Sequence, residues 1–297
     1  MKTCLPVPPV PLRILTHNIR YATSSPFKGE VPWEQRKNLL INELRYHTRH
    51  PNDTLVCLQE VLHEQLVDIH TGLNKATSSL ESDWAYIGVG RDDGHQAGEY
   101  SPIFYRESAW CLIHWETVWL SKTPSTPSKN WDAASIRILT IGVLSHRESG
   151  NTILAMNTHL DDQGSRSRLE AARIIRAKIR EYRCRECAYL INGAFLAGDL
   201  NSQEDQEAYS NLVGSGDFVD TFKMVDPCRR YGNYHTFTGF GYEKEPPSRI
   251  DYVLLSTVKP NAEWKAEGYS VMTNKFDDGI YNSDHCAVIA DIHLLCR

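Results

Sequence analysis

Residues 195–205 read FLAGDLNSQED. A short apolar run passes directly into Gly-Asp-Leu-Asn, and that composition suits two structures. One is a polar turn closing a buried strand, because Gly, Asp, Asn and Ser supply turn conformations and local hydrogen bonds. The other is the floor of a metal-dependent active site. Four residues do not separate the two readings, and the rest of the chain decides between them.

Outward from this stretch, short β-rich runs bounded by turn residues dominate. Upstream lie IRILTIGVLSHR and NTILAMNTHL, joined by the hairpin pattern ESGN, and then a helical pattern over 165–183 with Leu169, Ala172, Ile175 and Ile179 on one face. Downstream lie SRIDYVLLS and HCAVIADIHLL. Nearer the start, LRILTHN (12–18) and TLVCLQE (54–60) read as buried strands. Helices are expected over 32–47, with Trp33, Leu40, Ile41 and Leu44 on one face and Pro32 in the first turn, and over 62–73. WAYIGVG, SPIFYR and WCLIHWETVWL complete the strands, and SKTPSTPSKN (121–130) reads as an exposed loop. Strands interleaved with helices at these lengths predict two packed sheets with helices on their outer faces.

With 297 residues, 41% of them hydrophobic, the chain can bury one large core, so a single domain over 12–297 is expected after a Pro-rich extension at 1–11. The net charge of −5 provides no overall basic field, which argues against a long nucleic-acid groove. Four prolines interrupt the apolar stretch of MKTCLPVPPVPLRIL, so it lacks a signal-peptide core, and no run reaches membrane-spanning length. An intracellular protein, cytoplasmic or nuclear, without an obligate protein partner is the expectation. Eight cysteines are too sparse for a disulfide scaffold. The lone CxxC of Cys184 and Cys187 has no second pair at zinc spacing, and the redox state of Cys4 and Cys296 is left open.

The polar residues that follow the apolar strands form a consistent set: Asn18, Glu60, His159, Asp199 with Asn201, Asp251, and Ser283-Asp284-His285. Residues two apart on a strand share a face, so Asp199 and Asn201 are expected to address one ligand together. Oxygen donors without cysteine are hard and anionic, suited to Mg²⁺ or Mn²⁺, and Mg²⁺ is commonly held by one or two carboxylates with waters and substrate phosphate.

The ordered series THNIR, LQE, SPIFY, NTHLDD, AGDLNS, SRIDYV and SDH, spanning residues 17–285, resembles the endonuclease/exonuclease/phosphatase superfamily with its DNase I-like fold. GVGRDDGHQAGEYSPIFY, SKNWDAASIRI and TFTGF are similar to a subgroup whose substrates are mostly unassigned. The resemblance implies an α+β fold, a four-layer α/β/β/α sandwich, with the first and last strands side by side and the site at one end between the sheets. It also implies a metal held by Glu60, with Asn18 and Asp284 completing the site. Asp199 would orient and deprotonate a metal-activated water while Asn201 holds a phosphate oxygen. His285, its tautomer fixed by Asp251, would stabilise charge on the phosphoryl group, and His159 would contact phosphate or assist the leaving group. In this light GDLN is both turn and active site.

Tyr105 is a candidate to orient phosphate, with a core aromatic as the alternative. Arg137 and Arg168 are candidates for a substrate anion, with surface salt bridges as the alternative. Trp131, Phe237 and Phe240 are candidates for stacking on a base or sugar, with core packing as the alternative. The function expected is Mg²⁺/Mn²⁺-dependent hydrolysis of a phosphate ester, with a phosphodiester favoured by the two histidines. The alternatives are a nuclease or deadenylase and, from another class, a catalytically silent phosphate-binding module. The substrate expected is a small phosphorylated molecule, a glycophosphate or a short nucleic acid.

Overall fold

The computed structural model describes residues 9–50, 53–75, 83–184, 189–258 and 263–295. Cys4, Cys187 and Cys296 lie outside these residues, and Cys57, Cys111, Cys228 and Cys286 are free thiols. Two mixed sheets stack face to face. The first contains β1 (Val10–Asn18), β2 (Leu55–Gln59), β3 (Trp84–Ile87), β4 (Ile103–Arg106), β10 (Arg230–Gly232), β12 (Glu263–Val271) and β13 (Val288–Leu295). Its order is β10-β12-β13-β1-β2-β4-β3. The second contains β5 (Trp110–Trp119), β6 (Ile138–His146), β7 (Thr152–His159), β8 (Ile191–Asp199), β9 (Phe218–Asp220) and β11 (Asp251–Ser256), in the order β5-β6-β7-β8-β11-β9. Helices α1 (Trp33–His47) and α2 (His63–Asn74) cover the first sheet, while α3 (Ser165–Cys184) and α4 (Glu207–Gly214) cover the second. A short α5 (Thr221–Met224) follows β9.

Strand periodicity explains the layers. On β1, Val10, Leu12 and Ile14 enter the core between the sheets, while Leu15 turns to the opposite face against Leu40 and Leu44 of α1. On β8, Phe195 and Ala197 face the inter-sheet core, and Leu196 packs outward with Ile175 and Ile179 of α3. Both faces are therefore apolar, which is why these strands read as near-continuous hydrophobic runs rather than alternating ones. Each fully buried aliphatic side chain contributes about 1.5–3 kcal/mol. The first and last strands pair antiparallel, from Val10 with Leu294 to Thr16 with Val288, as the resemblance implied.

Three strands, β9, β10 and β12, stand where no strand was expected. On β12 the register shifts between Ala266 and Gly268, and this bulge breaks the alternation that a sequence reading needs. The strand also carries Lys265 and Glu267 at positions facing away from the core, so it lacks an apolar run.

One polar bridge spans the core just below the site. Gln59 Nε2 donates to Asn157 Oδ1 at 2.8 Å, and Asn157 Nδ2 donates to the carbonyls of Leu58 and Pro102, both at 2.8 Å. All these groups are buried, so the pairing is strongly specified and sets the separation of the two sheets where the site begins.

Candidate active site

Strand register assembles the site. β7 and β8 run parallel with His159 opposite Asp199, and β8 and β11 run antiparallel with Asp199 opposite Asp251. Three side chains far apart in sequence thus stand in one row at the end of the second sheet. On the first sheet Asn18 pairs with Gln59, which places Glu60 beside it, and His285 lies three residues before β13. Gly198 makes the row possible: its φ of +137° is unfavourable for other residues, and a Cβ there would lie 2.0 Å from the Thr158 carbonyl oxygen.

Asn201 lies beyond the strand, contrary to the expectation that it shares a strand face with Asp199. β8 ends at Asp199, and Asn201 is left-handed at φ +45°. Its backbone N–H donates to Asp199 Oδ1 at 2.8 Å, and its Nδ2 lies 3.0 Å from both His159 Nε2 and the Leu160 carbonyl. A turn, not strand alternation, brings the two side chains to one place.

His285 Nδ1 donates to Asp251 Oδ2 at 2.8 Å, leaving Nε2 directed to the cleft, 3.7 Å from Asp199 Oδ2. Asn18, fully buried, donates from Nδ2 to Glu60 Oε1 at 3.0 Å and Asp199 Oδ2 at 3.1 Å, while its Oδ1 accepts from Arg20 N. In this arrangement Asn18 holds two carboxylates in place and its own oxygen is engaged. Glu60 sits at φ +60°, a costly backbone for a non-glycine residue and of the kind found at functional sites. Its Oε2 accepts from Tyr21 N at 3.1 Å.

The electrostatics follow from burial and crowding. Burial, then repulsion from Asp251, pushes the Asp199 carboxyl up, so it is a better proton acceptor than an ordinary aspartate. Burial alone would lower His285, but Asp251, Asp199 and Asp284 outweigh it and raise it to about 10. His159 is held well below its usual range, first by burial and then by Arg137 and Arg91, and is neutral. Asp284 is raised by burial and by Glu60, against the pull of His285.

The cleft above these residues has a volume of about 910 Å³. Glu60, His159, Asp199, Asn201, Asp284 and His285 line it, as do Arg137, Arg168 and Phe237. Asn18 and Asp251 lie buried behind it, and three other expected residues do not line it. Tyr105 on β4 is buried in the core between the sheets, because its strand pairing turns the ring inward. Phe240 is buried with its ring centroid 6.0 Å from that of Tyr281. Trp131 sits on its loop outside the lining residues.

Sequence reading missed Arg20, Arg91 and Glu99. Glu99 Oε2 lies 2.8 Å from Arg91 Nη1 and 3.8 Å from both Arg137 Nη1 and His159 Nδ1, which makes it the hub of one wall. Burial and Glu60 raise its carboxyl to about 7 against Arg91 and Arg137. Its place in the irregular segment before Tyr100 gave no periodic pattern, and the signal that could have pointed to it is its place, with Arg91, inside the subgroup motif GVGRDDGHQAGEYSPIFY. Both expected arginines are paired as well: Arg137 Nη2 with Asp162 at 2.9 Å, and Arg168 with Glu207.

Glu60, Asp199 and Asp284 bring acidic oxygens to one cleft, and Arg20 approaches Glu60 only to 4.0 Å. Asp199 and Asp284, raised chiefly by burial, together with the Glu60 oxygens fit a hard divalent cation. Asp199, Asp251 and His285 also form a compact cluster with ligand atoms within 4.8 Å. Because the Asp251–His285 hydrogen bond uses one ring nitrogen, this cluster can equally serve as a histidine–carboxylate pair beside a base.

This combination of stacked sheets and strand-end carboxylates and histidines is that of a phosphoesterase. Over residues 15–285 the chain matches the Endonuclease/Exonuclease/phosphatase family, and it belongs to that family of hydrolytic enzymes. It is similar to an endonuclease/exonuclease/phosphatase family protein from Bacteroides thetaiotaomicron, with 29% identity, a TM-score of 0.82 and coverage of 97% of this chain and 99% of that one. It is likewise similar to the mannosyl-6-phosphatase of B. thetaiotaomicron VPI-5482, with 29% identity, a TM-score of 0.81 and coverage of 95% and 99%. The human nocturnin catalytic domain with bound sulfate, at 17% identity, a TM-score of 0.63 and coverage of 95% and 94%, shares the fold. No curated protein matches the sequence. Among the described residues no helix is long and apolar enough to cross a membrane.

Proposed function

We propose that the protein is a Mg²⁺- or Mn²⁺-dependent hydrolase of small phosphorylated substrates, and that a phosphomonoester of a polyhydroxylated molecule is the best-supported substrate. The observation that carries this reading is Arg137. Its guanidinium is buried in the cleft wall, with Nη1 3.8 Å from Glu99 and Nε 3.7 Å from Asp161, and neither nitrogen has a hydrogen-bond partner. Buried unsatisfied donors are costly, so a site that keeps them is matched to an anionic acceptor. A monoester dianion has one more anionic oxygen to offer than a diester. Similarity to a mannosyl-6-phosphatase over 95% of the chain supports the same substrate class. The two histidines behind the expected phosphodiester preference serve phosphate contact in either ester class.

When bound, the cation supplies Lewis-acid polarisation of a phosphoryl oxygen and favours ionisation of nearby water. Glu60 would hold it, with Asp284 completing the site and Asn18 fixing Glu60. Asp199, with its carboxyl raised by burial, takes the proton from the attacking water at Oδ2. His285, protonated and oriented by Asp251, donates from Nε2 to the phosphoryl oxygen as charge develops. Asn201 Nδ2 and neutral His159 flank the phosphate.

A second reading, a phosphodiester of a short nucleic acid, is favoured by Phe27 and Phe237 on the opposite wall, where a base could stack. Paired chromogenic mono- and diester substrates, a panel of sugar phosphates and short oligonucleotides, each with Mn²⁺ and with chelator, separate the readings. Metal-dependent phosphate release from monoesters is expected, and preferential cleavage of oligonucleotides would reject the monoester reading.

A further inference from the structure

Beyond the last residues paired between β1 and β13, Thr16 and Val288, two loops run on to the site: residues 18–21 and residues 282–285. They carry Asn18 and Asp284, and the first also supplies the Tyr21 N–H that holds Glu60. Their buried carbonyls are satisfied largely by side chains, although Asp284 O also accepts from Thr238 N at 2.7 Å. Ser283 Oγ donates to Asn18 O at 2.6 Å, Asn274 Nδ2 to Ser283 O at 2.9 Å, Thr238 Oγ1 to Asp284 O at 2.9 Å and Gln65 Nε2 to Arg20 O at 3.0 Å. His17 Nε2 lies 3.1 Å from His285 O.

Arg36 differs from these. It projects from α1, is fully buried, and grips both loops at once: Nη1 donates to Ile19 O at 2.6 Å and to Asn282 O at 2.9 Å, and Nη2 to Arg20 O at 2.7 Å. No ion pair within 4.0 Å holds it among the described residues; apart from the three carbonyls, its Cζ lies 5.1 Å from the Trp33 ring centroid and its Nε has no hydrogen-bond partner. A buried charge without a paired carboxylate is unfavourable unless its hydrogen bonds matter to the structure around it. Arg20, one of the residues gripped, is left-handed at φ +58°, a conformation that needs such support.

We propose that Arg36 is a positioning residue for the metal site, fixing the spacing between the loop that bears Asn18 and the loop that bears Asp284. The inference rests on the metal reading of the cleft given above. A planar fork with N–H groups in fixed directions can span three carbonyls on two segments, whereas a lysine ammonium is a single flexible point. Groups that hold metal ligands in place typically change affinity by about 10–100-fold when removed.

The test is Mn²⁺ titration by calorimetry of the wild-type protein, Arg36→Lys, Arg36→Gln and Leu40→Ala. The last variant loosens the core under the same helix, where Leu40 packs in one cluster with Ile19, but removes none of the hydrogen bonds that Arg36 makes to the two loops. Expected is Mn²⁺ binding weakened at least about tenfold in both Arg36 variants and unchanged in Leu40→Ala. The Mn²⁺ concentration for half-maximal turnover should rise by the same factor, with KM for substrate unchanged at saturating metal. Wild-type affinity in folded Arg36 variants overturns the assignment and leaves the metal reading intact. Absence of Mn²⁺ binding by the wild-type protein overturns both. Failure of both Arg36 variants to fold even with excess Mn²⁺ makes Arg36 a residue of the fold alone and also overturns it.

Discussion

Replacing Asp251 with asparagine isolates the electrostatic part of the site from its shape. Asp251 is fully buried, its Oδ2 accepts the His285 Nδ1 proton at 2.8 Å, and Asn is nearly isosteric. Burial works against a charged His285, yet the surrounding carboxylates, Asp251 first, raise it from 6.5 to about 10. That displacement corresponds to about 5 kcal/mol in favour of the imidazolium, shared among Asp251, Asp199 and Asp284. If Asp251 supplies about half, the variant loses about 2–3 kcal/mol of charge stabilisation at the phosphoryl oxygen, a fall in kcat of about 10²-fold. KM should change little, because the phosphate contacts remain. The pH profile carries the sign. A histidine raised in the folded state stabilises the native protein fully below pH 6.5 and progressively loses that contribution as pH rises through about 10. The wild-type protein should therefore keep a protonated His285 across neutral pH, whereas Asp251→Asn, having lost about half of that displacement, should lose activity as pH rises through about 8. Steady-state rates from pH 6 to 9 at saturating Mn²⁺, with histidine NMR of the metal-free protein, measure both effects. Turnover within about threefold of wild type with an unchanged alkaline limb would refute the roles assigned to this pair.

Three further outcomes follow from the same geometry. Asp199→Ala should lower kcat by at least about 10³-fold without lowering the melting temperature, since it removes the proposed base and also a carboxyl crowded by Asp251; an unfolded or fully active variant would contradict this. Burial pushes the Glu43 carboxyl up to about 8, opposed by its bond from Asn282, so the protein loses stability as pH rises from about 4.5 through 8. Glu43→Gln should then match wild type in urea unfolding at pH 4 and exceed it by about 3–5 kcal/mol at pH 9, and a pH-independent difference would count against the buried-carboxyl account. Gly198→Ala forces a Cβ against the Thr158 carbonyl at a φ of +137°, and should cost at least about 2 kcal/mol in a melting experiment together with activity. An alanine variant as stable as the parent would mean that β7 and β8 approach less closely than described.

Much of this protein is legible locally. The apolar run of β1 and the helical stripe of Trp33, Leu40, Ile41 and Leu44 are contained in short windows, the stripe through the backbone period of 3.6, and all four stripe residues are buried as expected. The polar residues at strand ends, from Asn18 to His285, were visible for the same reason: they interrupt apolar runs. Their family order identified the chemistry, but their distances belong to the sheets. Asp199 meets His159 and Asp251 only because β7, β8 and β11 pair in one register, and a shift of one residue would point the row away from the cleft. Tyr105 shows the converse, since its strand was expected and its side faces the core. The walls are more remote still from sequence. Asp161 accepts backbone N–H groups of Ala134 at 3.1 Å and Ser135 at 2.9 Å, carrying Arg137 to the cleft, and Glu99 meets His159 across 60 residues of chain. The sequence by itself thus determined most of the elements, the family and most of the candidate site residues, because those are read from motifs along the chain. Only the tertiary structure decided which side chains face one another, because that depends on pairing and burial between segments whose separation no local pattern records.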